Sequence, residues 1–133
     1  MSAADVELIK RMYRAWNSGD VVALVDAFDA DVEVRPALGA FLASTVYRGH
    51  EGVAAWYEET YEPWAELHAE PQRFIDAGES TVVVAALRAR VPGGQVDVEA
   101  ELAQVVTVRD GKVNKLFIYL DRDRALADLG LEG

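Results

Sequence analysis

The stretch from Val96 to Leu120 constrains this chain more than any other. It reads as two antiparallel strands joined at Arg109-Asp110-Gly111. Side chains alternate faces along a strand. The even positions Val96, Val98, Ala100, Leu102, Gln104, Val106 and Val108 therefore form an apolar stripe. The odd positions Asp97, Glu99, Glu101, Ala103, Val105, Thr107 and Arg109 form a largely wet face. One amide, Gln104, interrupts the stripe. An unpaired buried amide costs roughly 1–3 kcal/mol. Gln104 is thus either a core residue satisfied by Tyr57 or backbone, or the polar point of a pocket.

Turn chemistry sets the register. A three-residue loop with Gly111 in the left-handed region pairs Val108 with Lys112. Val106, Gln104, Leu102 and Ala100 then face Asn114, Leu116, Ile118 and Leu120, which keeps apolar with apolar. A two-residue loop would set Gln104 beside Phe117, because a one-residue slip flips every side chain. The turn at Pro92-Gly93-Gly94-Gln95 pairs Val91 with Val96 and adds Ala89, Leu87, Ala85 and Val83 to the same inner face. Outside, Arg90 meets Asp97 and Arg88 meets Glu99.

Upstream, Val6, Ile9, Met12, Tyr13 and Trp16 recur at steps of three and four, which predicts a helix from Ala3 to Asn17. Ser18-Gly19 ends it, and Asp20 stands where an N-cap belongs for a second helix, Val21 to Phe28. A short strand, Val32 to Arg35, is expected to stop at Pro36, which cannot donate to a ladder. Ala37 to Val46 lacks a clean period and reads as a loop long enough to act as a lid. Tyr47-Arg48-Gly49 opens a third helix with Val53, Trp56, Tyr57, Thr60 and Trp64 inward and a frayed end at Pro63. Glu66 to Asp76, Ser80 to Val91, Val96 to Arg109 and Lys112 to Leu120 form a four-strand meander. Asp121 caps a last short helix that ends at Gly130. The expected architecture is α+β, one domain over residues 1–133. A curved sheet wraps three N-terminal helices, with a pocket at the open end.

Charge narrows the partners. The net charge is -10. Without a cluster of Lys and Arg there is nothing to displace counterions from phosphates, so neither nucleic acid nor an anionic membrane is an expected partner. The absence of cysteine excludes disulfide and thiol chemistry. No basic segment precedes an apolar run at the start, and the longest apolar run, Val82 to Leu87, is far short of the roughly 20 residues that span a bilayer. A cytoplasmic protein is expected.

Few residues could carry chemistry, and each has a plainer role beside the functional one. Tyr13 and Tyr57 are amphipathic residues on inner helical faces, as suited to core as to a pocket. Trp16, Trp56 and Trp64 are packing residues that could also flank a flat apolar ligand. Arg35 could hold a carboxylate or enolate at a pocket mouth, or pair with Glu33 at the surface. Facing inward, His68 would suit a general base near neutral pH, and facing outward it would be a surface residue. His50 is expected at the surface. The histidines are not at metal-ligand spacing, so neither a metal nor any other cofactor is expected. A pocket wall is expected from Gln104, Tyr13, Trp16, Trp56, Leu102, Leu116, Ile118 and Leu120. On the outer face Ala103, Val105, Phe117 and Tyr119 form an apolar patch, which predicts a homodimer through the sheet.

Five segments in this order resemble the nuclear transport factor 2-like superfamily in its SnoaL-like, polyketide cyclase-type branch. They are Tyr13-Arg-Ala-Trp-Asn-Ser-Gly-Asp20, Phe28-Asp-Ala-Asp-Val-Glu-Val34, Tyr47-Arg-Gly-His-Glu-Gly-Val-Ala-Ala-Trp-Tyr57, Val108-Arg-Asp-Gly-Lys-Val113 and Tyr119-Leu-Asp-Arg-Asp-Arg-Ala-Leu126. The resemblance implies an α+β cone with an apolar pocket, often dimeric, and a superfamily of cyclases, ketosteroid isomerases, epoxide hydrolases, dehydratases and non-catalytic proteins. Fold alone does not choose among them. A ketosteroid isomerase needs a carboxylate base where this chain has Arg35 or Pro36, and an acid where it has Gln104. Its oxyanion tyrosine falls at Met12, one residue from Tyr13, and only its supporting tyrosine is matched, by Tyr57. A limonene-type epoxide hydrolase needs Asp, Arg and Asp where Ile118, Val83 and Ala85 stand. Both chemistries are excluded on these residues, and no inward Asp suits an aldol cyclase. The expected function is a pocket for an apolar, polycyclic, steroid- or polyketide-like molecule. The alternatives are cyclase, dehydratase or isomerase chemistry at His68, Tyr57 or Arg35, and a homodimeric association module.

Overall fold

The computed structural model describes residues 1–38, 46–62, 64–94 and 97–130. Helix α1 (Ala3–Ser18) starts on a capping box in which Ser2 and Asp5 satisfy each other's backbone N–H. It ends at Gly19, whose φ of 72° turns the chain through the left-handed region. Asp20 then caps α2 (Val21–Asp26), accepting the Ala23 N–H at 3.0 Å. This helix is shorter than the sequence predicts. The Ala27 carbonyl accepts the Val113 N–H at 2.9 Å, which draws the chain into the sheet at Phe28.

Strand β1 (Phe28–Leu38) accordingly runs past both expected ends. Pro36 does not stop it, because it sits in an irregularity between the pairs Arg35–Phe117 and Leu38–Tyr119, where no donor is needed. The expected lid lies, from residue 39 to 45, outside the described residues, as do Pro63 and the Val91–Val96 pair. Strand β2 (Tyr47–Arg48) pairs with Glu33 and Val34 and leads into α3 (Gly49–Tyr61), which buries Val53 and Trp56.

The meander follows as β3 (Glu66–Ala77), β4 (Ser80–Arg90), β5 (Asp97–Arg109) and β6 (Lys112–Tyr119). Strand β1 joins it in parallel along β6, so the sheet is mixed, curved and unclosed, in the order β2-β1-β6-β5-β4-β3. The β4–β5 register is the one the Pro92 turn predicts: Val83 faces Gln104, Ala85 faces Leu102, and Arg90 meets Asp97 at 2.9 Å.

The β5–β6 register differs from expectation by two residues. The hairpin closes on a two-residue turn, with Asp110 and Gly111 both at positive φ, pairing Arg109 with Lys112. A bulge between Thr107 and Val108 then inserts one residue into β6, so Val106 faces Leu116 and Gln104 faces Ile118. A two-residue slip preserves the face, and the apolar stripe stays inside. Its first part does not: Val98 is 51% exposed, beyond the reach of the helices.

The outer apolar patch is not free. Helix α4 (Arg122–Asp128), capped by Asp121, lays Ala125 and Leu126 over Val82, Ala103, Val105 and Tyr119. Ala103, Val105 and Tyr119 are buried. The surface expected to form a homodimer is therefore covered by the chain's own last helix. Among the described residues no helix is long and apolar enough to cross a membrane.

Candidate functional site

Between the helices and the inner sheet face lies a cavity of about 210 Å³. Helix α1 supplies Met12, Tyr13 and Trp16, because positions three and four apart share a helical face. Helix α3 supplies Trp56 and Thr60, with Trp64 just beyond it. Alternation along the strands brings in Leu67 and Ala69, Leu87, Leu102 and Gln104, and Ile118. Leu24, Pro36 and Leu120 complete the wall. All three tryptophans of the chain therefore face one space. Trp16 and Trp56 pack with ring centroids 4.8 Å apart.

Gln104 finds its partner on α1. The Tyr13 hydroxyl donates to Gln104 Oε1. Both residues are buried, and burial pushes the Tyr13 phenol far above its ordinary pKa, so it stays protonated and acts only through its O–H. Gln104 Nε2 has no hydrogen-bond partner among the described residues. Among the described residues no fully buried side-chain polar atom lacks a partner, and Gln104 forms part of the cavity wall. The partner is Tyr13 rather than Tyr57 or backbone, because Tyr13 stands on the α1 face turned toward the middle of β5.

Of the expected wall residues, Gln104, Tyr13, Trp16, Trp56, Leu102, Ile118 and Leu120 line the cavity. Leu116 does not. It is fully buried in the layer beneath, a consequence of the bulge that places it opposite Val106.

The three acid–base candidates stand elsewhere. Tyr57 packs edge-on against Trp16 at 5.0 Å and stacks on Tyr61 at 5.5 Å, with its hydroxyl toward Gly19. Arg35 is an outer-face residue. It pairs with Glu33 at 3.1 Å and lies 4.9 Å over the Phe117 ring, because parallel pairing of β1 with β6 points Val34 inward and Arg35 outward. His68 lies opposite Arg88 on the outer face, 3.4 Å from Glu70, in a groove with Glu99 and Glu101. Among the described residues no three His, Asp or Glu side chains gather as a metal site would need.

Sequence reasoning missed Asn17. Its side-chain amide donates to the Ala69 carbonyl at 2.8 Å and accepts the Ala69 N–H at 3.0 Å. It thereby covers the free edge of β3 and fixes α1 against the sheet one turn beyond Tyr13. An amide four residues after a buried tyrosine, on the same helix face, was the available signal.

A family model described as a SnoaL-like domain matches residues 9–116. The chain belongs to the SnoaL-like family. Its fold is the nuclear transport factor 2-like one, and solved structures share it. A nuclear transport factor 2-like protein from Burkholderia xenovorans LB400 is 28% identical, with 97% of each chain covered and a TM-score of 0.72. TerC, co-crystallised with polyporic acid, is 20% identical over 96% of this chain and 98% of its own, with a TM-score of 0.79. A protein of ketosteroid isomerase-like fold from Catenulispora acidiphila, in complex with trimethylamine, is 19% identical over 94% and 93%, with a TM-score of 0.75. No curated protein matches this SnoaL-like domain.

Proposed function

We propose that this SnoaL-like domain binds a small, uncharged, mostly apolar molecule in the cavity between α1, α3 and the sheet. The observation that supports this best is the makeup of the wall. It is aliphatic and aromatic, with one side-chain amide, that of Gln104, held in it by Tyr13. An apolar cavity of about 150 Å³ accepts benzene. In proportion, 210 Å³ takes about eight or nine non-hydrogen atoms. That is room for a monocyclic molecule, below the roughly 300–1,000 Å³ of drug-sized sites. Among the described residues no Lys or Arg lines the cavity, and the net charge is -10, so a carboxylate or phosphate would lose its hydration without compensation. The catalytic alternative requires a proton-transfer group at the ligand. Tyr57, Arg35 and His68 lie outside the wall, and Tyr13 is held as a neutral donor.

The test is thermal denaturation with cyclohexane derivatives at millimolar concentration. Ligand that binds only the folded state raises the midpoint. Ala69→Leu, which extends a side chain into the cavity, should abolish the rise. No shift with any probe, or an equal shift in Ala69→Leu, would overturn the proposal.

A further inference from the structure

We infer that the ligand presents a carbonyl oxygen to Gln104 Nε2, and that Tyr13 is the positioning residue that makes this point of the wall a donor. The inference rests on the binding reading above and names the class of ligand for that site. A primary amide carries a donor at one end and an acceptor at the other, and a half-turn about its last bond exchanges them. Left alone in an apolar cavity, Gln104 could serve either a donor or an acceptor ligand. Tyr13 removes that freedom. Its hydroxyl proton has one acceptor among the described residues, Gln104 Oε1. Turning the amide over would set Nε2 against the hydroxyl and leave that proton without an acceptor. Burial keeps the phenol protonated at every physiological pH, so the lock does not lapse.

The consequence is selectivity by hydrogen-bond sense. A ketone, aldehyde, ester or lactone accepts from Nε2 and brings no proton of its own. The matching alcohol also accepts, but its hydroxyl proton then faces an amide end with nothing to receive it. Ketone and alcohol have similar hydration, so their affinity ratio isolates this term. One net neutral hydrogen bond corresponds to an affinity ratio of about three- to tenfold.

The experiment is calorimetric titration with cyclohexyl methyl ketone, 1-cyclohexylethanol and ethylcyclohexane, of eight or nine non-hydrogen atoms each. Ethylcyclohexane tests the cavity alone. The ketone is expected to bind about three- to tenfold tighter than the alcohol. In Tyr13→Phe, where the amide is free to turn, that ratio should fall to about one. The infrared carbonyl stretch of the bound ketone gives a reading that needs no variant: it should lie below its value in cyclohexane. Binding of ethylcyclohexane with a ketone-to-alcohol ratio of one in the wild type would overturn the carbonyl inference and leave the cavity standing. So would an unshifted carbonyl stretch, or a ratio unchanged in Tyr13→Phe. If none of the three binds, the binding reading itself fails.

Discussion

The Tyr13–Gln104 hydrogen bond should behave as a coupled pair in a double-mutant cycle. Tyr13→Phe removes the donor and leaves Gln104 Oε1 without a partner. Gln104→Leu leaves the Tyr13 hydroxyl, on a residue 4% exposed, with no acceptor. A buried polar group stripped of its partner costs about 1–3 kcal/mol. The first substitution should sit near the lower end, because the cavity can supply water to the amide. The second should sit nearer the upper end, because the phenol is enclosed between α1 and β5. Making both changes replaces the pair with apolar groups of similar shape, which can be nearly neutral. The double variant should therefore cost no more than the worse single one, a coupling of about 1–2 kcal/mol. Urea denaturation followed by tryptophan fluorescence reads it directly, since Trp16 and Trp56 share the cavity wall with the pair. In thermal melts each kcal/mol should appear as roughly 3–5 °C for a chain of this size. Additive costs, with the double variant losing the sum of the singles, would refute the pairing.

Three further outcomes follow from the same geometry. Unfolded tyrosines ionise near pH 10, whereas burial raises the Tyr13 phenol far above that, and burial raises Tyr47, Tyr57 and Tyr119 in the same sense. Their stabilisation is complete below about pH 10 and is lost as pH rises beyond it, for Tyr13 by up to about 1.4 kcal/mol per unit and for the three less buried phenols by less. Urea titrations between pH 9 and 11.5 should thus show a shallower decline in Tyr13→Phe than in the wild type, and parallel declines would contradict this. Asn17→Ala removes both hydrogen bonds to the Ala69 backbone and should cost about 1–3 kcal/mol while speeding hydrogen exchange at the Ala69 amide, and unchanged exchange would rule out the clamp. Leu126→Ala should cost about 2–3 kcal/mol by urea denaturation, because α4 buries that side chain on the outer sheet face; a loss under about 0.5 kcal/mol would mean the helix is not anchored there.

Local periodicity made most of the elements legible. The steps from Ile9 to Trp16 and the cap at Asp20 give α1 and the start of α2. The Pro92-Gly93-Gly94 turn gives the β4–β5 register residue for residue. Gln104 was recognisable as the odd polar point of an apolar face, and it lines the cavity. The failures come from bulges and long-range pairing, which leave little local trace. The turn at Gly78-Glu79 pairs Ala77 with Ser80, a register that carried through would set His68 opposite Ala89 on the inner face. One extra residue between Pro71 and Arg73 moves it opposite Arg88, outside. Arg35 is turned outward by a parallel partner, β6, that lies some eighty residues further along the chain. The α4 contact that hides Ala103 and Val105 is likewise tertiary: alternation shows that these residues share a face, not what covers it.

Ligand contacts measured in solution test the cavity most directly. With cyclohexyl methyl ketone bound, intermolecular nuclear Overhauser effects should connect its ring protons to the indoles of Trp16, Trp56 and Trp64 and to the Ile118 methyls. The Gln104 side-chain amide should shift on titration. Contacts confined to the outer groove beside His68 and Arg88, or an unmoved Gln104 amide at saturation, would contradict a binding site between α1, α3 and the sheet.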